Sequence, residues 1–568
     1  MWQNLNKKRL NYFLLSLFLL FFSLHRFYNL GFKELQMWDE SLYGVRAKSI
    51  YYFNDWVDQT KHAVGGLYSS SHPPLFIWFT SLFYKIFGIS EFTTRFFSAL
   101  FGSLTVFLIF ILIRKFFDIK TDNSSLLKPS ILSIPLLGSI YLFNFYSRQA
   151  QLDIPYIFFV SLSIYFYLLA LERREIFLIL SGISFGLALM TKIIVGFFAP
   201  ISIGIFILIA IFKKEMDLKK GIIHLSTLTS IGILIALPWH LYMLKTYGDD
   251  FINTFFKFHI IERLSRGVEE NIPELGFFYI LNQLIVQFPP VILVFFDLLK
   301  ILKNFKSTQK EKILIHTWFW STFLITSISK TKIPTYALPS LVPAVIISST
   351  FLFEIENESK KWLPLSFLLT AIVWSSSQDL RDAIKNFIKF NFNLTSMTSA
   401  LGFLLGFLTI LVISKKLFSE IQPQKLRRLI FTFTILIGTF VVLKTEFFLD
   451  YSRYYDGAEK VCQIIDSSKC DTLFYLHTKH STEGMNPQLT FYSYRKLSHS
   501  IVWIEIPRED FKRISKFLSS TSNAFVLVEK TAKDKTEKRA ELNNLKFKIE
   551  SMNYKPIIEV RRYILYKF

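Results

Sequence analysis

IFLILSGISFGLALM (residues 176–190), then Thr191-Lys192, then IIVGFFAPISIGIFILIAIF (residues 193–212) is the stretch that decides the fold. Each apolar run approaches the roughly 20 residues that cross a hydrocarbon core as helix. A single cation, Lys192, divides them, and Lys213-Lys214 closes the second. Comparable runs recur at residues 11–22, 97–113 and 397–413, and 51% of the 568 residues are hydrophobic. A soluble fold could not cover that much apolar surface. The chain reads as a polytopic α-helical membrane protein.

The net charge of +22 would suggest nucleic acid in a soluble protein, but here the cations sit in short loops. Basic clusters at residues 114–128, 173–174, 213–220, 300–312, 360–361 and 415–428 are each separated by two apolar segments, as cytoplasmic loops require. No nucleic-acid partner is expected. The run at 11–22 follows Lys7, Lys8 and Arg9 and reads as a retained first span whose amino end is cytoplasmic. Residues 75–89 are apolar but short, and read as an interfacial helix because counting them as a span would invert every later loop.

The expected architecture is a multi-pass protein of the inner (plasma) membrane with about thirteen transmembrane helices. They occupy residues 1–447, with external loops at 31–96 and 245–276. Residues 448–568 form a small extracytoplasmic α/β domain. Strands are expected at 472–477, 489–494, 500–506, 524–529 and 556–568, and helices at 505–520 and 533–545. Cys462 and Cys470 both lie there, and a disulfide or two buried thiols would fit equally.

The candidate chemistry lies at the external face. Trp38-Asp39-Glu40-Ser41-Leu42-Tyr43 places two carboxylates beyond the first span, ahead of a helix expected over 40–51. Asp39 reads either as a helix cap, with Glu40 in the first turn, or as a general base whose partial desolvation raises its proton affinity. Tyr146-Ser147-Arg148-Gln149-Ala150-Gln151-Leu152-Asp153 brings Arg148 and a further carboxylate, Asp153, to the same face. An aspartate cannot snorkel as far as a lysine, which favours a functional Asp153. Lys192 breaks the positive-inside pattern and suits a lipid phosphate, although an interfacial lysine would look the same. Lys330 and Lys332 face outward in the same way, and Arg263 joins them. His72, ending the first polar loop, and His259, in the second, could share one cavity. His259 is the weak candidate for a metal, since no HExxH or paired CxxC spacing is present.

In their order these motifs resemble the GT-C-fold family that contains protein O-mannosyltransferases and bacterial lipid A aminoarabinose transferases. The residues that carry the resemblance are Asp39-Glu40 with Tyr43, His72-Pro73-Pro74-Leu75, Ser90-Glu91-Phe92-Thr93-Thr94-Arg95, Arg148 and Asp153 before Pro155, and Thr191-Lys192. Pro238-Trp239, His259 with Arg263, and Ser329-Lys330-Thr331-Lys332-Ile333-Pro334-Thr335-Tyr336 continue it. The resemblance implies inverting transfer of one sugar from a polyprenyl-phosphate donor, with Asp39 as the base. Asp153 would shape the sugar or acceptor pocket, and Lys192, Arg263, His72 and Lys330 would hold the carrier phosphate. The acceptor would be a lipid such as lipid A, a glycan or a protein. Aminoarabinose transferases often read Glu-Lys-Pro-Pro where this chain has Ser71-His72-Pro73-Pro74, so Ser71 replaces a proposed metal-binding glutamate. No cofactor is certain, and a divalent metal remains open.

Two other readings compete. An O-antigen ligase or polymerase would also use a polyprenyl carrier and external loops, but would not place Asp-Glu directly after the first span. A transporter or flippase would line a midplane path with its charges, and here they cluster at one face.

Overall fold

The computed structural model describes residues 13, 15–118, 127–172, 174–266, 276–355, 360–376, 378, 394–446, 455–478, 486–511, 518, 524–530 and 539–567. Five described helices are long and apolar enough to cross a membrane: Glu91–Phe116, Asp153–Glu172, Leu218–Ser265, Pro334–Glu354 and Pro423–Lys444. Six shorter apolar helices accompany them, among them Leu15–Phe27, Leu75–Phe87, Ile176–Thr191 and Phe198–Phe212. The expectation of about thirteen spans draws in part on residues outside the described set.

Ten of the described helices frame the site and its supports: α1 (Asp39–Phe53), α2 (Leu75–Phe87), α3 (Glu91–Phe116), α4 (Asp153–Glu172), α5 (Ile176–Thr191), α6 (Leu218–Phe251), α7 (Lys310–Ile328), α8 (Leu338–Glu354), α9 (Ala458–Ser467) and α10 (Pro487–Tyr492). Helix α3 starts at a capping box: the Ser90 hydroxyl accepts from Thr93 N, and Ser90 N donates to the Thr93 hydroxyl. Helices α5 and α6 pack closely because small residues meet there. A Cβ on Gly186 would lie 3.1 Å from the Gly232 carbonyl oxygen, and one on Gly232 would collide with the Phe185 ring. Without water as a driving force, such close approach supplies the dispersion contact that holds membrane helices together.

Two expected loops are more ordered than their composition implies. In the first, α1 is buried from Glu40 to Ile50. The second is a continuation of α6, which kinks at Gly248 (φ 51°) and passes into a π-helix, Ile252–Glu262. Phe251, Phe255 and His259, four residues apart, turn inward while Lys245, Asp249 and Asp250 face out, so the polar composition belongs to one face of a helix. Residues 267–275 of that loop lie outside the described residues.

The carboxy-terminal part carries one five-stranded sheet in the order β2-β1-β3-β5-β4. The strands are β1 (Thr472–His477), β2 (Val502–Pro507), β3 (Ala524–Glu529), β4 (Lys555–Glu559) and β5 (Tyr563–Lys567). Strand β1 runs parallel to β2 and β3, and β5 lies antiparallel to β3 and β4. Alternate residues feed two separate cores, Phe474 and Val526 on one face and Leu473 and Phe525 on the other. The strand expected at 489–494 is instead α10, because Asn486 caps it through Leu489 N and Pro487 presets its first turn. The helix expected at 505–520 begins inside β2, and residues 512–517 lie outside the described set. Helix Arg539–Glu550 overlaps the one expected at 533–545, of which residues 533–538 also lie outside it. Cys462 and Cys470 are free thiols. Of the two readings of this pair, the buried thiols are the one found: both pack as small apolar groups into one core, with the Cys462 thiol 3.5 Å from the Leu489 carbonyl oxygen.

Candidate active site

Five distant segments close around a cavity of about 110 Å³, lined by His72, Asp153, Lys192, His259, Arg263 and Ser329 together with apolar groups such as Phe198 and Phe255. The helix ends explain the charges. Asp153 is the first residue of α4, where a helix favours an anion, and Lys192 caps the carboxy end of α5, where it favours a cation. Lys192 Nζ donates to Asp153 Oδ1 at 3.1 Å and lies 5.7 Å from the centre of the Tyr156 ring. The imidazoles of His72 and His259 have centroids 4.5 Å apart. His259 Nε2 lies 3.4 Å from the Tyr68 carbonyl oxygen, and its Nδ1 is buried without a hydrogen-bond partner among the described residues.

Asp39 opens α1 and is half-buried. Trp38 holds the cap position, so the reading of Asp39 as an N-cap is corrected: Asp39 is already inside the first turn. Tyr43 sits one turn on, its ring edge-on to His72 at 6.4 Å. Burial, and then the charges of Asp39 and Asp153, push the Tyr43 phenol well above its usual value. Both carboxylates thus act on one phenol. His72 is held well below the usual imidazole range by burial and by His259, Arg46, Lys192 and Arg263, so it is neutral at pH 7.

A protein-family model described as dolichyl-phosphate-mannose-protein mannosyltransferase matches residues 71–242. An uncharacterized protein of Aquifex aeolicus (strain VF5) is 33% identical over 350 residues, which are 61% of this chain and 65% of that protein. The undecaprenyl phosphate-alpha-4-amino-4-deoxy-L-arabinose arabinosyl transferase of Wigglesworthia glossinidia brevipalpis is 26% identical over 61% of this chain and 60% of its own length. The chain thus spans less than two thirds of these relatives. The crystal structure of ArnT from Cupriavidus metallidurans bound to undecaprenyl phosphate superposes with a TM-score of 0.64 at 17% identity, covering 97% of each chain. In sequence the chain is similar to this arabinosyl transferase, and in fold it is similar to ArnT. The segment matched by the family model contains His72, Asp153 and Lys192, while His259 and Arg263 line the cavity from outside that segment and Asp39 is not among the lining residues.

Not every expected residue faces the cavity. Glu40, expected at the substrate, lies away from the cavity lining and is enclosed by the protein's own groups. Its carboxylate is fully enclosed, accepts from Arg95 Nε at 2.8 Å and Nη2 at 2.9 Å, and also takes the backbone N–H of Gln36 and Ala150. Arg148 donates to the His25 and Arg26 carbonyl oxygens at 3.2 and 3.1 Å and ties the first span to the bundle. Lys330 is exposed, its backbone N–H bound to the Leu264 carbonyl oxygen at 3.2 Å. Lys332 is buried, and its ammonium donates to the carbonyl oxygens of Thr326, Ser327 and Ser329 at the end of α7. Neither lysine lines the cavity, whereas Ser329 beside them does.

Arg46 escaped the sequence reading. It is fully buried, donating to Gln59 Oε1 and to the carbonyl oxygens of Ser69 and His72, which fixes the turn that presents the His72 ring. The signal was available: Asp39, Tyr43 and Arg46 follow i, i+4, i+7 along one helix face. Among the described residues no group of three metal-binding side chains exists. The donor set does not fit a cation either, since the His72–His259 pair is surrounded by Arg46, Lys192 and Arg263. That surplus of positive charge suits an anion.

Proposed function

We propose that the chain transfers a single sugar from a polyprenyl-phosphate carrier to an acceptor hydroxyl on the extracytoplasmic face of the bacterial inner membrane, with inversion at the anomeric carbon. The observation that carries this reading is the meeting of Lys192, Arg263, His72 and His259 with the Asp153 carboxylate in one largely apolar cavity. Two fixed cations and two neutral imidazoles match a monoanionic phosphodiester, and the apolar walls match its isoprenoid chain.

In the proposed step the Asp39 carboxylate takes the acceptor O–H proton, and the oxygen lone pair forms a bond to the anomeric carbon. The bond from that carbon to the phosphate oxygen breaks on the opposite face, and its electron pair leaves with polyprenyl phosphate. Charge grows on the leaving phosphate, where Lys192 and Arg263 stabilise it. Asp153 orients Lys192 through their 3.1 Å ion pair and offers an acceptor to sugar hydroxyls. The acceptor class remains a lipid, a glycan or a protein, and the amino terminus is assigned to the cytoplasm.

The test is transfer of radiolabel in membranes carrying wild-type protein or Asp39→Asn at matched levels. The donors are undecaprenyl-phosphate-linked 4-amino-4-deoxy-L-arabinose and polyprenyl-phosphate mannose. Label in an acceptor with wild type and none with Asp39→Asn supports the reading. Lipid flux across vesicles without covalent product would overturn it in favour of a flippase.

A further inference from the structure

The segment that leads into Asp39 is held by the carboxy-terminal domain. Both backbone polar groups of Leu35 are taken by α10 side chains: Leu35 N donates to Tyr492 Oη at 2.9 Å, and Gln488 Nε2 donates to the Leu35 carbonyl oxygen at 2.8 Å. The Tyr492 hydroxyl in turn donates to Glu91 Oε1 at 2.7 Å, in the first turn of α3. One hydroxyl therefore joins the Asp39 segment to the helix whose Arg95 clamps Glu40. Glu34 enters the amino end of α9 and accepts from the N–H groups of Asp456, Gly457 and Glu459 at 2.7, 2.9 and 3.0 Å. That is the charge a helix start favours.

The same domain grips α1 one turn beyond Asp39. Phe491 lies so close over Gly44 that a Cβ there would be 2.8 Å from its ring, and the Phe491 carbonyl oxygen accepts from Lys48. Gln36 N, between the two anchor points, donates to Glu40 Oε2 at 2.9 Å. Residues 34–36 are thus pinned to the soluble domain on one side and to the buried Glu40–Arg95 pair on the other, three residues before Asp39.

We infer that Tyr492, Gln488 and Glu34 are positioning residues for Asp39, and that the carboxy-terminal domain is a working part of the transfer site. The inference rests on the proposed role of Asp39. A base must meet the acceptor hydroxyl within hydrogen-bond reach, and a displacement of about 1 Å costs up to about a hundredfold in rate.

The experiment uses the full chain and the same two donors. Tyr492→Phe keeps the ring and removes only the hydroxyl, Gln488→Ala removes the second contact, and Lys555→Ala on the exposed edge strand β4 is the control. Tyr492→Phe and Gln488→Ala are expected to lower kcat about tenfold while the donor KM stays within about twofold, with faster amide exchange over residues 34–39. Lys555→Ala leaves both constants unchanged. Wild-type kcat in both α10 variants, with transfer abolished in Asp39→Asn, overturns this inference alone. Wild-type rates in Asp39→Asn overturn the base assignment beneath it.

Discussion

Glu40 and Arg95 form a doubly hydrogen-bonded ion pair with side chains 0% and 3% exposed, 55 residues apart in sequence. Removing one partner leaves the other charge buried and uncompensated, at a cost of about 3–5 kcal/mol. Glu40→Gln and Arg95→Met are each expected to lower the denaturation midpoint in detergent sharply. The double variant should be less destabilised than the sum of the two, which a double-mutant cycle reads directly.

Lys192 and Arg263 supply the fixed positive charge of the cavity. Lys192→Met is expected to reduce kcat by about 10²–10³, the usual loss when a group aimed at developing negative charge is removed. Lys192→Arg should restore part of it. Single-turnover transfer, together with inhibition by undecaprenyl phosphate, separates loss of chemistry from loss of donor binding.

His72 gives stability a pH dependence with a definite sign. The folded-state imidazole is held well below its usual value by burial and by His259, Arg46, Lys192 and Arg263, so the unfolded chain takes up a proton first as the pH falls. Stability from this group is fully present above about pH 6.5 and declines progressively below it. His72→Gln is expected to flatten that slope in denaturation midpoints measured from pH 7.5 down to about 5.

Lys330 and Lys332 should behave differently despite their shared motif. Lys330→Ala, at an exposed position, is expected to change stability by less than about 0.5 kcal/mol. Lys332→Met strips three carbonyl oxygens of their donor and should cost about 1–3 kcal/mol, with the donor KM of the folded enzyme unchanged. Paired melting and kinetic measurements check both.

The sequence was most informative where a charge was out of place. Lys192 interrupts an apolar run, and Asp153 stands just before Pro155 at the start of another; the structure brings them together. Glu40 was grouped with Asp39 because it adjoins it. Consecutive helical residues point about 100° apart, so Asp39 and Glu40 face different ways, and Glu40 meets the buried Arg95. Nothing local to Glu40 reveals a partner 55 residues away. The second external loop was misread because the exposed face of a helix has the composition of a loop, and the four-residue spacing of Phe251, Phe255 and His259 was the overlooked clue. In the carboxy-terminal domain, alternation identified β1 and β3 correctly but disguised α10, whose Asn486-Pro487 start was the better signal.

The bond from Asp456 N to Glu34 spans 422 residues, so the amino-terminal segment waits for a partner made almost last. During synthesis the earlier helices enter the membrane with the Asp39 strand of chain still untethered. The last stretch to be made then folds and seats its helix start on Glu34. Anchoring of the segment before Asp39 is therefore a late event, set by completion of the carboxy-terminal part.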